Sequence, residues 1–232
     1  MLDYLSASNI EYIDGRSVLE DTQRDWFDYF YKSDHHPNND AAFEIYKSVC
    51  ERMSTYGYDI SEEYLERDSF EITEYKDIFW GSHTRMAGPV FTGTDDYGLY
   101  LPKFDTDMEY DVPFENIHRE GNFEDALCFY ENLSEKSFDM YAYYAYLHQD
   151  YELIRITDNM KPDGPDIVIV RDSTAVPVSA FLSLQAHTVT LIDLRYLENY
   201  SPEEYIREIN PDIIIYMFGT GYLCESDAMI IR

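Results

Sequence analysis

The chain has 232 residues, and 17 Lys and Arg against 46 Asp and Glu give a formal net charge of −29. Hydrophobic content of 45% suffices for a core and excludes disorder as a description of the whole chain. The charge argues against nucleic acid and anionic membrane surfaces as main partners, and no apolar run approaches the roughly 18 residues of a membrane span.

Residues 9–19 open with a short apolar stretch that ends in Asp14-Gly15, a turn signal. Residues 40–56 read as a helix, because Ala41, Ala42, Ile45, Val49, Cys50 and Met53 recur at helical spacing behind the N-cap candidates Asn38, Asn39 and Asp40. Residues 62–70 fit either element. Residues 75–140 read as an irregular insertion with extended strands, rich in Gly, Pro, Asp and aromatics over 75–123. Residues 138–156 are aromatic and fit helix or strand; Tyr141, Tyr144, Ala145 and His148 match a helix face, and the tyrosines of 141–146 read as core.

The last third is the clearest. Residues 166–170 (DIVIV) form an unbroken β-branched run, as expected of a buried parallel strand. A helix follows over 176–184, with Pro177 in its first turn. A strand comes next over 188–192, then a helix over 202–209 capped by Ser201, and a strand over 212–217. Such a βαβαβ pattern predicts an α/β protein with a parallel sheet, whose ligands bind beyond the carboxyl ends of the strands. Those ends carry Ser173, Asp193 and the Gly219-Thr220-Gly221 turn.

Ser173 follows a strand and precedes a helix, where a hydroxyl is exposed at the rim of the sheet and backbone N–H groups can stabilise an oxyanion. A serine nucleophile needs a base, and the base needs an orienter. The six histidines are His35, His36, His83, His118, His148 and His187. In Ser33-Asp34-His35-His36-Pro37, alternation in an extended segment lets Asp34 and His36 face one site with His35 turned aside. The bland alternatives are a simple helix cap at Asp172-Ser173 and a solvated polar turn at residues 33–37. Asp34, His35, His36 and Asp40 are of metal-ligand type, but no HExxH-like spacing exists, so no metal is assigned. No other cofactor is indicated. Cys50, Cys128 and Cys224 give neither a zinc pattern nor a disulfide framework. The first residues lack a signal peptide, and a longer parent chain with a leader is left open.

At these residues the chain resembles the SGNH/GDSL hydrolase superfamily. Residues 166–173 (DIVIVRDS) resemble its strand and Gly-Asp-Ser nucleophile block, with Arg171 in place of the glycine. Residues 211–223 (PDIIIYMFGTGYL) resemble its block ending Gly-x-Asn-Asp, with Gly221 and Tyr222 in place of the last two. The Asp-His block precedes the serine, an order similar to the DHHW family and to the SGNH-like domains of alginate O-acetyltransferases. Residues 29–42, 79–88 (FWGSHTRMAG), 143–156 and 167–196 also match DHHW pieces, in order; Pro37 replaces the tryptophan of that motif and Asp40 a glycine.

The resemblance implies a single three-layer α/β/α domain with a mostly parallel sheet and permuted motif order, its N-terminal part expected to lie partly outside this chain. It implies Ser173 as nucleophile, His36 as general base and Asp34 as orienter, with Arg195, Gly219 and Gly221 contacting substrate. The implied chemistry is acetyl transfer or acetylester hydrolysis on a polysaccharide or an acetylated small substrate, with acetyl delivered from a membrane partner and an extracellular or cell-surface setting. A degenerate relative that binds glycan or a partner is the alternative. A DHH-type manganese phosphoesterase ranks last, since too few aspartates stand at strand ends before Asp34.

Overall fold

The structure is a computed structural model that describes residues 2–134, 136, 138, 141–198 and 201–219. In the N-terminal part, α1 (Leu2–Ala7) and α2 (Gly15–Asp21) precede the long helix α3 (Asn39–Thr55). Asp14 is not a turn residue but the N-cap of α2, its carboxylate accepting the Arg16 N–H at 3.1 Å. Asn38 caps α3 in the same way, through the Ala41 N–H.

Strands β1 (Phe70–Phe79) and β2 (Asp95–Pro102) pair antiparallel as a separate two-stranded sheet, with the short helices α4 (Ser82–Ala87) and α5 (Pro89–Thr92) between them. Next come β3 (Met108–Val112), β4 (Ile117–Gly121) and α6 (Phe123–Leu127). Of the segment 138–156, the described residues 141–156 form neither an α-helix nor one strand. They hold a 3-10 turn, Ala142–Ala145, and the start of β5 (Leu153–Asp158). The predicted βαβαβ unit then follows as β6 (Asp166–Arg171), α7 (Val176–Leu182), β7 (Thr188–Asp193), α8 (Pro202–Ile209) and β8 (Ile213–Met217).

The main sheet has the order β4-β3-β5-β7-β6-β8. Its β6 is parallel to both β7 and β8, whereas β7–β5, β5–β3 and β3–β4 are antiparallel. The sheet is therefore mixed rather than mostly parallel. Its antiparallel half comes from β5 and from the β3–β4 hairpin, drawn from the segment read as an irregular insertion. Asn116, in the left-handed region at φ 52°, closes that hairpin.

Successive side chains of a strand point to opposite faces. Ile167 and Ile169 of β6 and Val189 and Leu191 of β7 pack into a core with Phe43, Tyr46 and Val49 of α3 and Phe181 of α7. Val168, Val170, Leu153 and Ile192 face the other way, against Tyr205, Ile206 and Ile209 of α8. The result is a three-layer α/β/α arrangement. Each fully buried aromatic or aliphatic side chain in these layers contributes about 1.5–3 kcal/mol. No helix among the described residues is long and apolar enough to cross a membrane.

Candidate active site

The loop that carries Asp34 and His36 is tied down at both ends. Phe30 and Pro37 form an antiparallel bridge, and Asn38 N donates to Tyr29 O at 2.9 Å. Inside the loop, the Lys32 and Ser33 N–H groups donate to the carboxylate of Asp95 at 3.1 and 2.7 Å. Ser33 Oγ donates to Phe79 O and accepts from Gly81 N, both at 3.2 Å, which fastens the loop to the end of β1. Pro37 occupies the bridge and biases His36 toward extended backbone. Asp40 serves packing instead, holding Arg24, Arg67 and the Tyr100 hydroxyl.

Alternation within this loop brings Asp34 and His36 to one site. Asp34 Oδ1 lies 2.5 Å from His36 Nδ1 and accepts the His36 backbone N–H at 3.0 Å. Asp34 Oδ2 accepts the Ser82 N–H at 2.6 Å and the hydroxyl of Tyr141. His36 Nε2 lies 2.8 Å from Ser173 Oγ. All three side chains are buried, with residue exposures of 2%, 2% and 7% for Asp34, His36 and Ser173. Burial alone would push the Asp34 carboxyl upward. The hydrogen bond and charge of His36, with the Ser82 N–H and the Tyr141 hydroxyl, hold it well below the usual carboxylate range. The arrangement keeps Asp34 ionised, fixes the ring of His36, and aims its second nitrogen at a hydroxyl.

Ser173 stands two residues beyond the end of β6. Asp172 caps the turn that follows: its Oδ1 accepts from Thr174 N at 2.9 Å and from Thr174 Oγ1 at 2.5 Å. Its Oδ2 accepts from Gly219 N at 2.8 Å, which links the ends of β6 and β8. The helix-cap role expected here falls to Asp172, whereas the Ser173 hydroxyl, expected to be exposed at the rim of the sheet, is buried against His36.

The remaining predicted site residues fare differently. His35 is exposed where Asp34 and His36 are buried; its ring meets that of His36 at a 38° tilt, with centroids 3.8 Å apart, and its Nδ1 meets Ser82 Oγ at 2.8 Å. Arg195 is engaged by Asp193 at 2.6 Å and Asp150 at 2.8 Å and does not reach the triad. The Gly219 N–H is committed to Asp172. Gly221 lies outside the described residues. Asp34, His35 and His36 bring their ligand-type atoms within 4.8 Å of one another, but the donors just described already occupy both Asp34 oxygens. That donor set suits a hydrogen-bonded triad better than a cation.

Sequence reasoning missed Tyr141 and Tyr143. Tyr143 stacks on His36 at 3.8 Å between centroids and 15° between planes, and its hydroxyl donates to Ser173 O at 2.8 Å. Residues 141–146 read as core from composition, and no local spacing sets these two tyrosines apart.

No family model matches the chain, and no curated protein matches it in sequence. Solved structures do resemble it. A DHHW family protein from Eubacterium siraeum has a TM-score of 0.71 at 18% identity, over 93% of this chain and 66% of that one. Bacillus cereus PatB1 with a sulfonyl adduct has a TM-score of 0.66 at 17% identity, over 84% and 62% of the two chains. A second Bacillus cereus PatB1 structure gives 0.63 at 18%, over 89% and 68%. The chain thus spans about two thirds of the length of these structures. At such identities the likeness establishes the fold, and it is the DHHW-type fold that the ordered sequence pieces implied.

Proposed function

We propose that the chain is a serine O-acetyltransferase or acetylesterase acting on polysaccharide, with Ser173 as nucleophile, His36 as general base and Asp34 as orienter. The observation that carries this reading is the unbroken line from Asp34 through His36 to Ser173, with heavy-atom separations of 2.5 and 2.8 Å. Those lengths match the reach required between a nucleophile, its base and the orienting group. The fold likeness adds an analogy, since Bacillus cereus PatB1, a structure of similar fold, is described with a sulfonyl adduct.

In the first step Ser173 Oγ attacks the acetyl carbonyl carbon while His36 Nε2 takes the hydroxyl proton. The tetrahedral intermediate collapses, the bond to the leaving oxygen breaks, and His36 returns the proton to that oxygen. A sugar hydroxyl or water then gives its proton to His36 and attacks the acetyl-serine carbonyl, and as the bond to Ser173 Oγ breaks His36 returns that proton to the serine oxygen. The Ser173 N–H, which makes no hydrogen bond among the described residues, is available to the oxyanion; the neighbouring Thr174 and Gly219 N–H groups are committed to Asp172. By the resemblance, the acetyl donor is delivered from a membrane partner. The non-catalytic alternative would be favoured by a separated His36 and Ser173, and the 2.8 Å contact gives it no support.

The test is intact mass after brief incubation with 4-nitrophenyl acetate, for the parent, Ser173→Ala and His36→Ala. A single acetyl adduct on the parent that disappears in Ser173→Ala supports the reading. Equal acetyl release by parent and Ser173→Ala overturns it.

A further inference from the structure

We propose that Tyr141 and Tyr143 are positioning residues, a clamp that sets the geometry of the Asp34–His36–Ser173 line from both of its ends. Tyr143 touches both partners of the histidine–serine contact at once. Its ring lies flat on the His36 imidazole and its hydroxyl holds the Ser173 carbonyl. Two residues earlier, the Tyr141 hydroxyl donates to Asp34 Oδ2, the oxygen that His36 does not use. Tyr141, with φ −116° and ψ 95°, leads into the 3-10 turn Ala142–Ala145, and Tyr143 lies within that turn.

The segment is itself anchored. The guanidinium of Arg85 lies 4.6 Å from the centroid of the Tyr141 ring, and Phe79 meets that ring edge-on at 5.2 Å. The next residue, Tyr144, donates to Asp150 Oδ2 at 2.7 Å, which fixes the segment to the charged cluster at the ends of β6 and β7. Burial keeps both the Tyr141 and Tyr143 hydroxyls protonated, so each acts as a donor. With Tyr141 in place, Asp34 accepts four hydrogen bonds, two on each oxygen, and cannot rotate without losing several. A core tyrosine needs only to fill space. These two direct their hydroxyls at the site and meet it at three points.

The kinetic arm of the test rests on the acyl-transfer reading above. The full chain, Tyr141→Phe, Tyr143→Phe and Ser173→Ala are compared for kcat and KM with 4-nitrophenyl acetate. The second arm is proton NMR of the downfield imidazole N–H shared by His36 and Asp34, assigned by its loss in His36→Gln. Each phenylalanine variant is expected to lower kcat about tenfold or more with KM changed less than about twofold, as for misaligned reacting groups. In Tyr141→Phe the downfield proton is expected to shift. Phenylalanine variants within about twofold of the parent kcat, together with an unmoved proton, would overturn the clamp. Equal rates for the parent and Ser173→Ala would instead sink the acyl-transfer reading, and the NMR arm alone would then decide. Tyr141→Phe, at a half-buried position, keeps the test decisive should Tyr143→Phe fail to fold.

Discussion

Gly81 and Asp34 approach so closely that a Cβ on Gly81 would lie 2.2 Å from Asp34 Cβ and 2.6 Å from the Ser33 carbonyl oxygen. The glycine is required by contact rather than conformation, since its φ of −84° is open to any residue. Only this approach lets the next residue, Ser82, present its N–H to Asp34 Oδ2 at 2.6 Å. Gly81→Ala is therefore expected to force backbone apart at the orienting carboxylate. A loss of about 1–3 kcal/mol is typical of such overpacking, and it should appear as a lowered Tm. Acetyl release should fall as well, because a small displacement of the base is amplified in rate. An alanine variant with parental melting and parental rate would show that the loop has room to adjust.

Much of the fold was legible in the sequence because the strands β6 and β7 are buried on both faces and so read as unbroken β-branched runs. The strands β3 and β4 were not. They are five residues each; β3 (MEYDV) alternates but β4 (IHREG) carries three polar residues in a row, and they owe their place to pairing, β3 with β5 and β4 with β3. In the site, the Asp34–His36 pair was legible because it depends only on local alternation. The His36–Ser173 contact joins residues 137 apart and entered through the resemblance rather than through spacing. Tyr141 reaches Asp34 across 107 residues, and no local pattern distinguishes it from a core tyrosine.

The side chain of Arg171 is fully buried where the resembling motif has glycine. It pairs with Asp150 and lies 3.2 Å from Asp193, and Arg195 closes the cluster from the surface. Its Nε and Nη2 have no hydrogen-bond partner among the described residues, so the guanidinium is already imperfectly satisfied. Removal leaves two buried carboxylates with Arg195 as their one cation among the described residues, and breaking a buried ion cluster on one side typically costs about 3–5 kcal/mol. Arg171→Ala should show a lowered urea midpoint at unchanged slope. Arg171→Lys should fall between the two, since an ammonium restores charge but not the planar fork. A midpoint equal to the parent's in Arg171→Ala would mean that the cluster relaxes into water and does not brace β6 and β7.

At the far end of β5, Asp158 is only 3% exposed. Burial pushes its carboxyl up to about 6, against the lowering pull of the Met160 N–H, Lys161 and His187, with Asp107 adding to the rise. Because the folded value lies above the ordinary 3.8, the folded chain holds this proton more tightly than the unfolded one. The associated stability is fully present below about pH 3.8 and is lost as pH rises through about 6. At 1.36 kcal/mol per pH unit, the gap between the two values corresponds to about 3 kcal/mol. Asparagine at this position still offers an oxygen to the Met160 N–H, now 2.9 Å from Asp158 Oδ1, and carries no proton equilibrium. Denaturant melts of parent and Asp158→Asn should therefore coincide near pH 3.5 and separate above pH 6, with the variant the more stable. Every other carboxylate titrates in both proteins and cancels in the difference. A difference that stays constant with pH would mean that the Asp158 carboxyl titrates alike in the folded and unfolded chain, the Met160 N–H and the charges of Lys161 and His187 offsetting its burial.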